Sequence, residues 1–167
     1  MSESIVLRSA VPEDADCISE IYTESILAHD STMDTEPFSG GEMKRLLDRL
    51  GERERVFVLE TDAVVRGWGI VKKYSDRPGY RVACETSIYL RRDQRAKGYG
   101  SLLQEKLLEF CREVDYHHVV AKIWADNDES IEFHHKFGFT MVGVQNEIGH
   151  VAGTWRDVAV MQCLLDS

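Results

Sequence analysis

The sequence predicts an α/β or α+β sandwich, in which helices cover both faces of a mixed sheet. Two observations support this prediction. Apolar residues recur at helical spacing in four segments, and seven short apolar or alternating runs between them are typical of strands. The predicted order is one strand, two helices, three strands, a helix, a strand, a helix and two strands.

The first half of the chain predicts a strand, two helices and two further strands, at 5–8, 12–26, 43–50, 56–59 and 64–73. Pro12 begins the first helix, because proline suits the first helical turn. A turn at Thr61-Asp62 joins the last two strands, which should therefore form an antiparallel hairpin.

The second half predicts a strand, a helix, a strand, a helix and two strands, at 81–90, 101–111, 118–124, 130–137, 139–146 and 154–164. Gly138 is expected to end the fourth helix. The last two strands are expected to flank a glycine-containing loop, which passes through His150 and closes over a site.

Composition limits the classes of protein that the chain can belong to. Its 167 residues suit one domain spanning residues 1–167. The 43% hydrophobic and 29% charged content indicates an ordinary soluble protein with no membrane span, expected in the cytoplasm. A net charge of −9 argues against a nucleic-acid-binding surface.

Cysteine spacing predicts neither disulfides nor a metal site. The four cysteines are widely separated and contain no C-x-x-C pair. Cys17 and Cys111 fall within helical patterns, where a free cysteine is typically a small buried apolar residue.

One junction indicates an anion site. The segment Arg95-Ala96-Lys97-Gly98-Tyr99-Gly100 lies between a strand-like run, 86–90, and a helix beginning near Ser101. Glycines allow the backbone to approach a ligand closely, and the N–H groups at a helix start attract anions. A steric turn with no ligand is the alternative. The segment matches neither G-x-G-x-x-G nor G-x-x-x-x-G-K-[ST], so a dinucleotide or nucleoside triphosphate is not favoured.

Four stretches together resemble the GNAT superfamily of acetyl-CoA-dependent N-acetyltransferases. They are Tyr80-Arg81 with 85–90, the turn 94–100, Asn127 with 130–139, and 153–158. The resemblance covers almost the whole chain, and within the superfamily it is greatest to enzymes that acetylate phosphinothricin, methionine sulfoximine and methionine sulfone. It implies a GNAT-like fold with a largely antiparallel sheet of about seven strands and about four helices.

The resemblance implies acetyl-CoA as the acyl donor. The amides of 96–101 would hold the pyrophosphate, and the backbone of 88–90 would pair with the pantetheine arm. The implied donor-binding residues are Ile88, Tyr89, Leu90, Arg95, Ala96, Lys97, Gly98, Tyr99, Gly100, Ser101, Asn127 and Lys136.

The attacking amine must lose a proton, and the resemblance assigns the general base to Glu85. Its neighbours Cys84 and Thr86 suggest a partly apolar setting, which would raise the pKa of the carboxyl. Tyr89 or Tyr99 is a candidate to protonate the leaving thiolate. His134 is either a further acid or base or a packing residue.

The resemblance also implies that the acceptor is a small amino acid-like amine. It places Arg81 and Tyr80 near the acid groups of the acceptor, and Arg77 is a candidate to assist them. Arginine suits the binding of carboxylate and phosphinate. At some positions, such as Ser75 and Val151, the residue differs from the one usual in the enzymes that acetylate phosphinothricin and methionine sulfone. These differences fall on the acceptor side. An acetyltransferase acting on protein N-termini or lysines and a non-catalytic acyl-CoA-binding module are the alternatives. A homodimer formed through the last strands is the family expectation.

Overall fold

The computed structural model describes residues 3–166. Its seven strands are β1 Ile5–Ser9, β2 Arg55–Thr61, β3 Val64–Lys73, β4 Ala83–Leu90, β5 His118–Trp124, β6 Thr140–Val151 and β7 Thr154–Leu164. Its four α-helices are α1 Ala15–Ala28, α2 Gly40–Arg49, α3 Tyr99–Glu113 and α4 Asp128–Lys136. The predicted element order is confirmed.

All seven strands form one sheet in the order β1-β2-β3-β4-β5-β7-β6. Only the β4–β5 pair is parallel, and the other five pairs are antiparallel. The predicted mixed, largely antiparallel sheet is therefore confirmed.

Two boundaries differ from the prediction. Residues 78–80 form a turn of 3-10 helix, so β4 begins at Ala83 and leaves Arg81 outside the strand. β6 continues to Val151, because His150 pairs with Trp155 of β7. The predicted loop around His150 is therefore a strand, and only the 152–153 turn separates β6 from β7.

The helices cover opposite faces of the sheet. On one face, buried residues of α1 and α2, including Ile18 and Met43, pack on Val58 and Trp68 of β2 and β3. On the other face, α3 contributes a second apolar cluster around the fully buried Leu107. Both faces of the central strands are thus covered. Successive side chains along these strands pack alternately on one cluster and on the other, which specifies the strand register.

The second cluster also holds three of the four cysteines, Cys84, Cys111 and Cys163, and all four are free thiols. The sulfur atoms of Cys84 and Cys111 lie 3.6 Å apart. This contact and burial raise the pKa of the Cys84 thiol, so Cys84 and Cys111 act as small apolar groups in the core. Within residues 3–166, no helix combines the length and apolar character needed to span a membrane.

β4 and β5 separate along their length, and this separation creates the site. They pair only from Ala83–His118 to Glu85–Val120, although both strands continue for at least four more residues. On its other side, β4 stays paired with β3 as far as Leu90. The β5-facing main chain of residues 86–90 is consequently left as an open strand edge.

Candidate active site

A cavity of about 330 Å³ lies in the wedge between β4 and β5. Residues 86–90 form one wall, and residues 121–124 of β5 form the other. The rest of the lining comes from the turn before α3 and the start of that helix, from α4 with the residue before it, and from Ser25, Asp30 and Ser31 in and just after α1. An extended chain in this wedge can pair with the exposed edge of β4, because a free strand edge presents its N–H and C=O groups to a ligand.

The turn before α3 presents its amide groups to the cavity. α3 begins at Tyr99 and has no side-chain cap, and its first internal bond runs from Leu102 N to Gly98 O at 3.3 Å. The amides of 99–101 therefore have no partner within the helix, and they carry the positive end of its dipole. This arrangement suits a phosphate group.

Gly98 and Gly100 have different roles in the turn. Gly98 has φ +83°, in the left-handed region that favours glycine. Gly100 is the second residue of α3, and a β-carbon there would meet Leu90 and Phe133 at an ordinary 3.8 Å. The second left-handed residue of the turn is instead Ala96, with φ +65°. Of the two glycines, Gly98 alone has a backbone conformation that favours glycine.

Most of the predicted donor-binding residues line this cavity. Nine do so, namely Ile88, Tyr89, Leu90, Arg95, Ala96, Gly98, Gly100, Ser101 and Asn127. The other three lie outside the lining. Lys97 is exposed with its Nζ 3.2 Å from Gln94 Oε1, Lys136 is exposed at the end of α4, and Tyr99 faces the core.

The position of Tyr99 excludes one predicted role. Its ring is 2% exposed within the α3 cluster, and its hydroxyl donates to Glu3 Oε2 at 2.6 Å. The side chain therefore points away from the wedge, and only the Tyr99 main chain belongs to the phosphate turn. The candidate thiolate donor that remains at the cavity is Tyr89.

Tyr89 stands in an aromatic wall between the cavity and α1. Its ring lies 4.9 Å from the rings of Tyr22 and Trp68. Tyr22 bonds in turn to Thr32 Oγ1 at 2.9 Å and to Asp34. Burial raises the pKa of the Tyr89 phenol, so this hydroxyl keeps its proton at neutral pH.

α4 contributes two polar side chains to the cavity. Asn127 Oδ1 caps the helix by accepting from Ser130 N at 3.1 Å, which leaves its NH₂ group to donate. His134 Nδ1 lies 2.8 Å from Ser130 O, so Nδ1 carries the proton and Nε2 is the basic nitrogen. Burial lowers the pKa of His134, so the ring is neutral at pH 7.

Glu85 is the last residue of β4 that pairs with β5, so it lies at the closed end of the wedge, next to the cavity lining and not part of it. Its side chain is 15% exposed. Lys122 Nζ lies 3.2 Å from Oε1, and Lys72 Nζ lies 3.7 Å from Oε2. The immediate partners of the carboxylate are thus two ammonium groups, in contrast to the partly apolar setting expected from Cys84 and Thr86.

The three predicted acceptor-binding residues lie in the segment between β3 and β4. All are exposed, and none lines the cavity. The Tyr80 ring packs on Tyr74 at 5.3 Å. The carbonyl of Arg81 accepts from Arg53, and the Arg77 amide donates to Ser75 Oγ. Their roles in acceptor binding remain predictions.

Several residues at the site are absent from the residues predicted from the sequence. Lys122 interrupts an apolar strand, a charged exception that signals a special position. Arg92 forms a bidentate ion pair with Asp30, with Nη1–Oδ2 and Nη2–Oδ1 distances of 3.0 and 2.6 Å. Both residues line the cavity. Although burial opposes it, the bonds and charge of Arg92 lower the pKa of Asp30. No sequence pattern predicts a pair separated by 62 residues.

Among residues 3–166, no cluster of three His, Cys, Asp or Glu side chains is placed to hold a metal ion. Three groups that can exchange protons, Glu85, His134 and Tyr89, lie at the wedge beside the turn of free amides. This combination suits proton transfer next to an extended, phosphate-bearing ligand.

Comparison with known proteins agrees with this geometry. A family model described as an acetyltransferase (GNAT) domain matches residues 7–160. The L-methionine sulfoximine/L-methionine sulfone acetyltransferase of Salmonella typhimurium is 31% identical over 97% of this chain and 95% of its own length. The phosphinothricin N-acetyltransferase of Streptomyces coelicolor is 30% identical, and the match covers 93% of each chain.

A solved structure extends this comparison. It is the GNAT superfamily phosphinothricin acetyltransferase of Sinorhizobium meliloti in complex with acetyl-CoA. This protein superposes with a TM-score of 0.91 at 31% identity, and the match covers 96% of this chain and 88% of the other.

Proposed function

The chain belongs to the GNAT family and is an acetyl-CoA-dependent N-acetyltransferase, and from that premise we propose that it acetylates the primary amine of a small amino acid-like substrate. The proposed acceptors are of the phosphinothricin, methionine sulfone or methionine sulfoximine type. Relatives named for these substrates match nearly the whole chain.

One observation carries the proposed mechanism. Glu85 lies at the closed end of a wedge whose open part is lined by the phosphate turn and the free edge of β4. A donor held along that edge, with its phosphates at the turn, directs its other end toward Glu85. A carboxylate at that point can accept a proton from an incoming amine.

We assign the individual steps to residues of the cavity and of the closed end of the wedge. The amides of 96–101 hold the pyrophosphate, and Arg95 adds positive charge beside them. The main chain of 88–90 and the Asn127 NH₂ group bind the pantetheine arm. Acetyl-CoA supplies an activated acetyl group, Glu85 takes the proton from the amine, and the neutral Tyr89 phenol protonates the departing thiolate.

Thiol release from acetyl-CoA across a panel of acceptors tests this proposal. The panel contains methionine sulfone, methionine sulfoximine, phosphinothricin, the standard amino acids, and peptides with free N-termini or lysines. We expect turnover with at least one free amino acid or analogue, confirmed by the mass of the N-acetyl product. Activity confined to peptides would replace the proposal with protein acetylation. Coenzyme binding with no thiol release from any acceptor would favour a non-catalytic module.

We further propose that the chain is one acetyltransferase domain that works in the cytoplasm as a homodimer. One sheet contains strands from both ends of the chain, and the four thiols are free, as is typical of a reducing compartment. The outer strands β6 and β7 expose large apolar residues, including Val142, Ile148 and Trp155 at 57%, 57% and 61%. Light scattering should give twice the 19.1 kDa chain mass, and a mass of 19.1 kDa would overturn the dimer.

A further inference from the structure

We propose that Lys122 and Lys72 form the binding site for the carboxylate of the acceptor. They would select amines that carry a free carboxylate over the same amines as amides. The inference rests on the proposed small-molecule N-acetyltransferase activity, and it moves acid recognition from the loop arginines to two strand lysines.

The strand register places the three charged side chains on one face of the sheet. Lys72 of β3 is directly opposite Glu85 of β4, and Glu85 is opposite Val120 of β5, two residues before Lys122. The residues adjoining them in sequence, such as Val71, Cys84 and Ala121, are buried in the α3 cluster. Because side chains alternate along a strand, the charged groups point to the opposite face.

The charges do not balance at this point. Two ammonium groups approach a single carboxylate, at 3.2 and 3.7 Å. Within residues 3–166, neither lysine has a second carboxylate within 4 Å. The group therefore carries an excess positive charge in a chain whose net charge is −9. This excess positive charge attracts an anionic ligand to the closed end of the wedge.

The lysines have the capacity to bind a ligand. Both side chains are 50% exposed, whereas Glu85 is 15% exposed. Each ammonium group has three donors, and Lys122 also lines the cavity. The predicted arginines, in contrast, lie on an exposed segment outside the lining.

The spacing suits an amino acid. Its amine and carboxyl groups are attached to the same carbon, so an amine at Glu85 brings the carboxylate beside Lys122. Once the ligand carboxylate pairs with the lysines, Glu85 is relieved of one of its cationic partners and can receive the proton of the amine. A carboxylate therefore both anchors the acceptor and frees the base, which an amide does not.

The test uses L-methionine sulfone and its primary amide as paired probes. We expect the wild-type protein to favour the acid in kcat/KM, and Lys122→Met to reduce the acid-to-amide ratio about tenfold. That tenfold change corresponds to about 1.4 kcal/mol, which is no more than a hydrogen bond to a charged group typically contributes. The loss should be in KM for the acid. Lys122→Arg should restore the ratio, and Lys72→Met should lower it less, as the longer 3.7 Å distance indicates.

Lys73→Met is the matched control. Lys73 adjoins Lys72, is 54% exposed and pairs with Asp76, but its side chain lies on the other face of β3. This variant should keep the wild-type ratio.

Equal losses for acid and amide in Lys122→Met would indicate a structural role and overturn the inference. Equal kcat/KM of the two probes in the wild type would overturn it while leaving the proposed activity intact. Calorimetric titration of the coenzyme A complex with the acid gives a second measurement, because it needs no turnover. If the acid neither binds nor reacts, both the inference and the proposed acceptor class are overturned.

Discussion

We call the part of the wedge proposed to hold acetyl-CoA the donor half, and the part proposed to hold the amine the acceptor half. The two halves are built from different kinds of group. The donor half uses main chain, namely the amides of 96–101 and the open edge of 86–90. The acceptor half uses side chains, with Lys72, Glu85 and Lys122 contributed by three different strands. Main-chain recognition depends on a local turn and on where two strands separate. Side-chain recognition depends on which residues the sheet brings together, so it can change with single substitutions.

The largest effect should come from Glu85, which lies where the donor half and the acceptor half adjoin. Glu85→Gln keeps the size of the group but removes its basicity. We expect kcat to fall by about 10²–10⁴, the usual contribution of a general base, with little change in coenzyme affinity. Steady-state thiol release and calorimetric binding of coenzyme A measure the two effects.

Glu109→Gln is the control, because Glu109 is on the exposed side of α3 and pairs only with Lys106 among residues 3–166. If Glu85→Gln turned over at the wild-type rate, Glu85 would not be the base. If it lost coenzyme binding instead, Glu85 would belong to the donor half and the division between the halves would fail.

The donor half should respond to backbone geometry. Gly98→Ala places a β-carbon at φ +83° in open space, so its effect is confined to backbone conformation. Left-handed backbone costs about 1–2 kcal/mol for residues other than glycine, and relief of that strain would displace the amides of the turn. We expect KM for acetyl-CoA to rise about tenfold, with acceptor preference unchanged.

Gly153→Ala separates strain from binding. Gly153 has φ +77° and equally open surroundings, but it lies in the β6–β7 turn. Both variants should melt a few degrees below the wild type, and only Gly98→Ala should weaken the binding of acetyl-CoA. A similar rise in KM for both would show that the donor half responds to overall stability.

The same division explains how far the sequence could predict the molecule. The phosphate turn is contiguous, and its left-handed glycine and helix start can be inferred from local chemistry. The order of helices and strands along the chain followed from apolar periodicity and is confirmed. The pairing of Lys122 with Glu85 depends on the register of two parallel strands, and the Asp30–Arg92 pair depends on a long-range approach. Neither has a local signature. A local motif also fails to predict the direction of a side chain. Tyr99 belongs to the turn motif, but its ring faces the core.

The smallest predicted effect concerns His134, which lines the cavity from α4. Burial lowers its pKa in the folded protein below the usual value of about 6.5. Between those two pKa values, the unfolded chain binds a proton that the folded protein does not. The free energy of unfolding therefore falls as the pH decreases through this window. His134→Gln should remove this loss, so melting temperatures measured from pH 8 to pH 5 should fall less steeply than for the wild type.

His135→Gln controls for loss of a histidine from the last turn of α4, because that ring is exposed. Parallel melting curves for the wild type and His134→Gln would show that the buried ring does not contribute to the acid sensitivity. A thiol-release rate for His134→Gln that stays at the wild-type level would place this ring in the scaffold of the donor half. A lower rate, with acetyl-CoA affinity retained, would make it a second proton-handling group beside Glu85. In that case chemistry would be shared between α4 and the central strands, and the boundary between the two halves would pass through His134.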